Sequence, residues 1–227
     1  VLDEIAYGLG KWKNPEINGE RLLEKILNSD KSDEAVLETI ARAIGKSKSP
    51  LTNGEKMLAQ IMNSKKATAY TLGSVASAIG DSEHSLANGE KMLQEILNSN
   101  KASAPTLERI VDAIEKSKHP LVNGESMLEQ IISSDKADGS ILGRAGQVIL
   151  HSKTPFTNGE KMFDQILNSN RAESNTFVLI GAAVFNSKLD LESSQKMLAR
   201  VLDAPKFAAD STFSLALTLG SSNLPDS

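Results

Sequence analysis

The chain has no cysteine, so neither a disulfide framework nor thiol chemistry is open to it. Aromatic residues are only 4% of its 227 residues against 40% hydrophobic residues in all, so its core is aliphatic. There are three histidines, His84, His119 and His151. With no cysteine beside them and no HxxxH-type spacing, they give no metal motif. No serine stands in a nucleophile-elbow setting, and no glycine-rich phosphate loop is present. The longest apolar run, Phe177 to Phe185, is about half of a membrane span. A net charge of −4 argues against phosphate-backbone binding as the main activity. Together these absences lead to the expectation of a non-enzymatic protein without cofactor, metal or membrane span, with nucleic acid disfavoured as a partner.

What the chain does have is one recurring phrase, Asn53-Gly54-Glu55-Lys56-Met57-Leu58. Its asparagine returns at Asn18, Asn88, Asn123 and Asn158, and a worn copy, Ser193-Ser194-Gln195-Lys196-Met197-Leu198, keeps the same 35-residue step. A fixed period in this range marks a repeat architecture. In the unit from Val36 to Tyr70, Leu37, Ile40, Ala41 and Ile44 form a helical stripe, predicting a helix A. Asp33, Thr68, Ser103 and Asp138 are its expected N-caps, with Pro105 just inside one start. Gly10, Gly45 and Gly80 follow helix A in three units only, so a left-handed C-cap is not compulsory there. A polar segment such as Lys46 to Pro50 leads to helix B. Asn53 is expected to cap it with its side-chain oxygen, Ser193 to do so in the worn copy, and Glu55 to sit favourably at the dipole. Met57, Leu58, Ile61 and Met62 form its buried stripe, and Asn63-Ser64 ends it.

Neither helix is long enough to be stable alone in water. Each buried Leu, Ile or Met contributes about 1.5–3 kcal/mol, realised only when the next hairpin covers it. The expected fold is therefore all-α: a right-handed α-solenoid of about six helix-turn-helix repeats (1–35, 36–70, 71–105, 106–140, 141–175 and 176–211), a partial capping repeat at 212–219 and a disordered tail at 220–227.

The 35-residue unit of two antiparallel helices resembles the tetratricopeptide and pentatricopeptide class of helical repeats over Val1 to about Leu219. The Trp, Leu-Gly and Tyr signature of tetratricopeptide helix A is missing; the single Trp12 lies at the end of the first helix A. The inter-helix segment from Lys46 to Thr52 is also longer than in those families. TAL-effector DNA readers likewise carry Asn-Gly in short repeats, but there the dipeptide varies, whereas here it is the least variable element.

Positions that change between units are free to recognise a partner. In related solenoids helix A lines the concave surface. The resemblance therefore implies a binding strip of Glu4, Tyr7, Arg42, Lys46, Asp81, Arg109, Asp112, Lys116, Arg144, Gln147 and His151, interspersed with Lys11, Thr39, Ser74 and Ser77, suited to a protein segment. Two cationic columns, Lys13/Lys48/Lys118/Lys153/Lys188 (interrupted by Glu83) and Lys31/Lys66/Lys101/Lys136/Arg171/Lys206, are either easing helix dipoles or a ridge for single-stranded RNA or another polyanion. The apolar C-terminal end, with Phe177, Phe185, Phe207 and Phe213, either folds over unit six or serves as an interface, self-association included. The chain starts at Val1 already in phase, which suggests a fragment of a longer protein, such as the repeat region of a bacterial effector or enzyme. The compartment, cytoplasmic or exported, stays open.

Overall fold

The computed structural model describes residues 4, 8, 19–119, 121–152, 156–187 and 189–207. Tyr7, Gly10, Lys11, Trp12, Lys13, Asn18, Lys153, Lys188, Phe213, the cap at 212–219 and the tail at 220–227 lie outside the described residues. Glu4 and Gly8 are helical, and the remaining described residues form eleven helices and no strand. No helix of the described residues is long and apolar enough to cross a membrane.

The chain divides into two compact units, residues 1–127 and 128–227. The first holds the B helices α1 (Gly19–Leu27), α3 (Gly54–Met62) and α5 (Gly89–Leu97). They alternate with the A helices α2 (Glu34–Gly45), α4 (Ala69–Asp81) and α6 (Ala104–Lys116). A further B helix, α7 (Gly124–Ser133), carries the chain across the division. The second unit holds α8 (Gly139–His151) and α10 (Ser174–Asn186) as A helices, with α9 (Gly159–Leu167) and α11 (Leu191–Leu202) as B helices.

The A helices begin where short polar side chains can close the first turn. Asp33 and Asp138 each accept a main-chain N–H three residues on, at 3.0 Å. Thr68 and Ser103 head capping boxes whose partners are Thr71 and Thr106, and Glu173 does the same with Thr176. The periodic stripes are buried as spaced: Leu37, Ile40, Ala41 and Ile44 in α2, Leu72, Val75, Ala76 and Ile79 in α4, Leu107, Ile110 and Val111 in α6.

In the first unit α2, α4 and α6 lie tightly side by side, and α8 and α10 do so in the second, whereas successive B helices touch far less. Glycine is the reason for the close approach. A Cβ at Gly45 would fall 2.5 Å from the Ala78 Cα, and one at Gly80 the same distance from the Ala113 Cα. These glycines end helix A without any left-handed backbone. They are kept for packing against the next A helix, not for capping.

Two capping expectations are corrected. Asn53, Asn88 and Asn158 do occupy the position before helix B, but none of their side chains accepts a capping hydrogen bond. In the worn copy helix B starts earlier: Asp190 is the cap, accepting from the Ser193 N–H at 2.8 Å, and Ser193 lies inside the first turn. At the C-terminal end, Phe177, Ile180 and Val184 of α10 are buried, Val178 and Leu179 half-buried and Phe185 exposed. In α11 only Val201 is buried, leaving Leu191 and Leu202 open.

Candidate functional site

Most of the charged groups that recur from unit to unit are spent on joining one repeat to the next. The glutamate of the Asn-Gly-Glu phrase does not serve its own helix alone. Glu20 accepts from the main-chain N–H of Asn53, Glu55 from those of Ala87 and Asn88, and Glu90 from that of Asn123. The Asn88 side-chain amide adds a further bond to Glu55, at 2.8 Å. A carboxylate of one repeat thus satisfies the free donors at the start of helix B in the next.

The unbroken cationic column works in the opposite direction along the chain. After α1, α3, α5, α7 and α9 a serine hydroxyl accepts the N–H of the cation two residues on, as Ser64 does for Lys66 and Ser99 for Lys101, both at 3.2 Å, whereas after α11 Ala204 stands two residues before Lys206. The cation then reaches back one repeat to carbonyls at the end of the previous hairpin. Lys66 reaches Asp30 (3.1 Å) and Ser32. Lys101 reaches Ala67 at 2.9 Å, and Lys206 reaches Asn170. Arg171 spans three carbonyls, Ile132 at 2.6 Å, Ala137 at 2.9 Å and Ser134. Of these carbonyls only that of Ile132 lies in the last turn of a helix, where the dipole favours a cation; the others belong to the turn that follows helix B in the preceding repeat.

The interrupted column explains its own interruption. Glu83 stands between Lys48, 2.7 Å away, and Lys118, 3.4 Å away. The bonds from Lys48 and then Lys118 hold its carboxyl below the ordinary glutamate value. In the second unit Arg200 plays a comparable part, bonding Glu160 at 2.7 Å and Asp164 at 2.6 Å with its guanidinium over the Phe163 ring.

Buried threonines add neutral links that the sequence pattern did not single out. Thr106 donates to the Ala69 carbonyl at 3.0 Å, and Thr176 to the Gly139 carbonyl at 2.7 Å. Each also accepts the N–H of its own N-cap.

On helix A the variable face divides into several parts. Arg42, Lys46, Asp81 and Arg109 line one trough of about 350 Å³ across α2, α4 and α6. Its middle is low because Gly73, Ser74 and Ser77 are small, and the stem of Arg109 lies over Gly73, where a Cβ would meet its Cγ at 3.2 Å. Tyr70, 65% exposed, stands at one end with Pro105. Burial raises the Glu38 carboxyl in the wall, Arg42 opposes that rise and Glu34 adds to it. Asp112 is instead buried, 3.6 Å from Arg109 and 3.5 Å from Lys116, and is no part of the trough lining. Thr39 is buried as well, bonded to the Ala35 carbonyl.

The other face residues are separate. Glu4 is exposed on its helix. In the second unit Arg144 bonds Gln147 at 2.6 Å, Gln147 approaches the Leu179 carbonyl at 3.4 Å, and His151 approaches the Ala183 carbonyl at 3.2 Å. Gln147 and His151 therefore tie α8 to α10, and Arg144 braces Gln147 from within α8. Of the C-terminal phenylalanines, Phe177 has no exposed surface and meets Phe207 edge-on at 5.7 Å, while Phe185 is exposed. Sequence spacing passed over Tyr70, which sits in the first turn of α4, ahead of the periodic stripe. Among the described residues no group of three His, Asp or Glu could hold a metal ion. Comparison with family models, curated proteins and solved structures finds no match to this chain.

Proposed function

We propose that the chain is a right-handed α-solenoid of about six repeats that acts as a non-enzymatic scaffold, binding an extended segment of a partner protein along helix A. The observation that carries this reading is the trough over α4. Small residues make its floor, hydroxyls of Ser74 and Ser77 line it, and Arg42, Lys46, Arg109 and Tyr70 stand around it. Such a strip offers hydrogen-bonding groups to a peptide main chain and an aromatic anchor to one side chain. Closer packing of the A row than of the B row in residues 1–127 would curve that part of the stack with helix A inside. The polyanion reading has less to stand on, since Lys66, Lys101, Arg171 and Lys206 already engage carbonyls of the preceding repeat. Selection of peptides from a random display library against the full chain tests the proposal. Tyr70→Ala and the double change Arg42→Glu, Arg109→Glu should each abolish binding of the selected peptides. Peptides that bind all variants equally would refute the trough as the site.

A further inference from the structure

We propose that the Asn-Gly pair at the head of helix B is a deamidation site held shut by the neighbouring repeat, and that Asn88 is the position where opening it unfastens the stack. The chemistry needs no partner enzyme. The Gly89 amide nitrogen attacks the Asn88 Cγ, a C–N bond forms, the Cγ–Nδ2 bond breaks and ammonia leaves with the displaced proton. Water then opens the five-membered imide at one of its two carbonyls, giving aspartate or isoaspartate. Glycine is the most permissive residue to follow the asparagine, because no Cβ shields its nitrogen.

Several contacts oppose the ring closure in the folded chain. The Gly89 N–H donates to the Leu86 carbonyl at 3.1 Å, and Gly89 is buried. The Asn88 carbonyl accepts from the Met92 N–H at 2.9 Å. With φ −106° and ψ 8°, the backbone of Asn88 turns the glycine nitrogen away from Cβ, whereas the imide requires the two nearly eclipsed. Asn53 and Asn158 share this conformation, at ψ 13° and 17°. At Asn88 the departing amide is itself held, Nδ2 donating to Glu55 of the preceding repeat at 2.8 Å and the main-chain N–H donating to the same carboxylate.

The product cannot restore this arrangement. Aspartate at 88 replaces the donor facing Glu55 with a second carboxylate, so a hydrogen bond becomes a like-charge contact. Isoaspartate adds a methylene to the main chain at the residue that leads into α5. Each opening of the repeat therefore risks a covalent change that prevents it from closing again.

The test follows the conversion of Asn53, Asn88, Asn123 and Asn158 by peptide mapping of the full chain, incubated in mildly alkaline buffer with and without urea. Conversion in the folded chain should be slower on the order of tenfold or more than in urea, the reaction being limited by local opening. Glu55→Ala, studied at a temperature where its circular dichroism matches the parent, should speed conversion at Asn88 and leave Asn123, held by Glu90, unchanged. Asn88→Asp should lower the urea midpoint, and Glu55→Gln in that background should recover most of it. Equal rates folded and unfolded, or a Glu55→Ala chain with no selective change at Asn88, would overturn the proposal. So would an Asn88→Asp loss that Glu55→Gln leaves untouched.

Discussion

Two glycine-to-alanine changes in the same helix, Gly80→Ala and Gly73→Ala, should move stability in opposite directions. Local propensity treats them alike: alanine in place of glycine inside a helix gains up to about 1 kcal/mol. The surroundings separate them. At Gly80 the added Cβ would stand 2.5 Å from the Ala113 Cα and 2.9 Å from its Cβ, atoms that move only if α4 and α6 part. Forcing a methyl into such a contact costs about 1–3 kcal/mol, and a backbone neighbour places it toward the upper end. The net expectation is a loss of about 1–2 kcal/mol after the propensity gain is subtracted. At Gly73 the nearest atom is the Arg109 Cγ at 3.2 Å, on a flexible side chain that can yield. There the propensity gain should survive, at about 0.5–1 kcal/mol. Urea titration followed by far-ultraviolet circular dichroism reads both, with midpoints compared because stacked repeats need not unfold in a single step. A Gly80→Ala chain as stable as Gly73→Ala would refute close packing of the A helices.

Arg171→Met keeps the stem of the side chain but leaves the carbonyls of Ile132, Ser134 and Ala137 without their cation. It should cost about 2–3 kcal/mol, measurable as a lower urea midpoint. The Glu83 carboxyl is held low by Lys48 and Lys118, so whatever it contributes is present above the ordinary glutamate value and disappears as pH falls through the depressed one. An NMR titration of Glu83 should show this, and Lys48→Met should move it back upward. Glu38 is shifted the other way, so its charged form is a liability that grows as pH rises past the ordinary glutamate value. Glu38→Gln should therefore raise the thermal midpoint at neutral pH and not in acid, and a gain of equal size at both would rule out burial as the cause.

The helical hairpins were legible in the sequence because their apolar spacing depends only on neighbours along the chain. Leu37, Ile40 and Ile44 are buried for the reason their spacing gives. The joints were harder to read, because in an exact repeat every residue recurs whether it serves its own unit or the next. Glu55 looked like a dipole partner of its own helix, yet it accepts from Ala87 and Asn88. Lys101 was expected to ease a helix dipole, yet the carbonyls it meets, those of Ser64 and Ala67, lie in the turn after helix B of the preceding repeat. Thr106 was passed over because it falls between a cap and an apolar stripe, where a hydroxyl draws no attention until its partner one repeat away is known. On the variable face Arg42 and Arg109 were named without the small-residue floor between them, which depends on three helices lying side by side.

The joints supply what no hairpin has alone, and removing whole 35-residue repeats, with helicity and urea midpoint followed for each length, measures their contribution most directly. A lone repeat should show little helix, and each added repeat should raise both quantities. A single repeat as helical and as resistant to urea as the full chain would contradict the account.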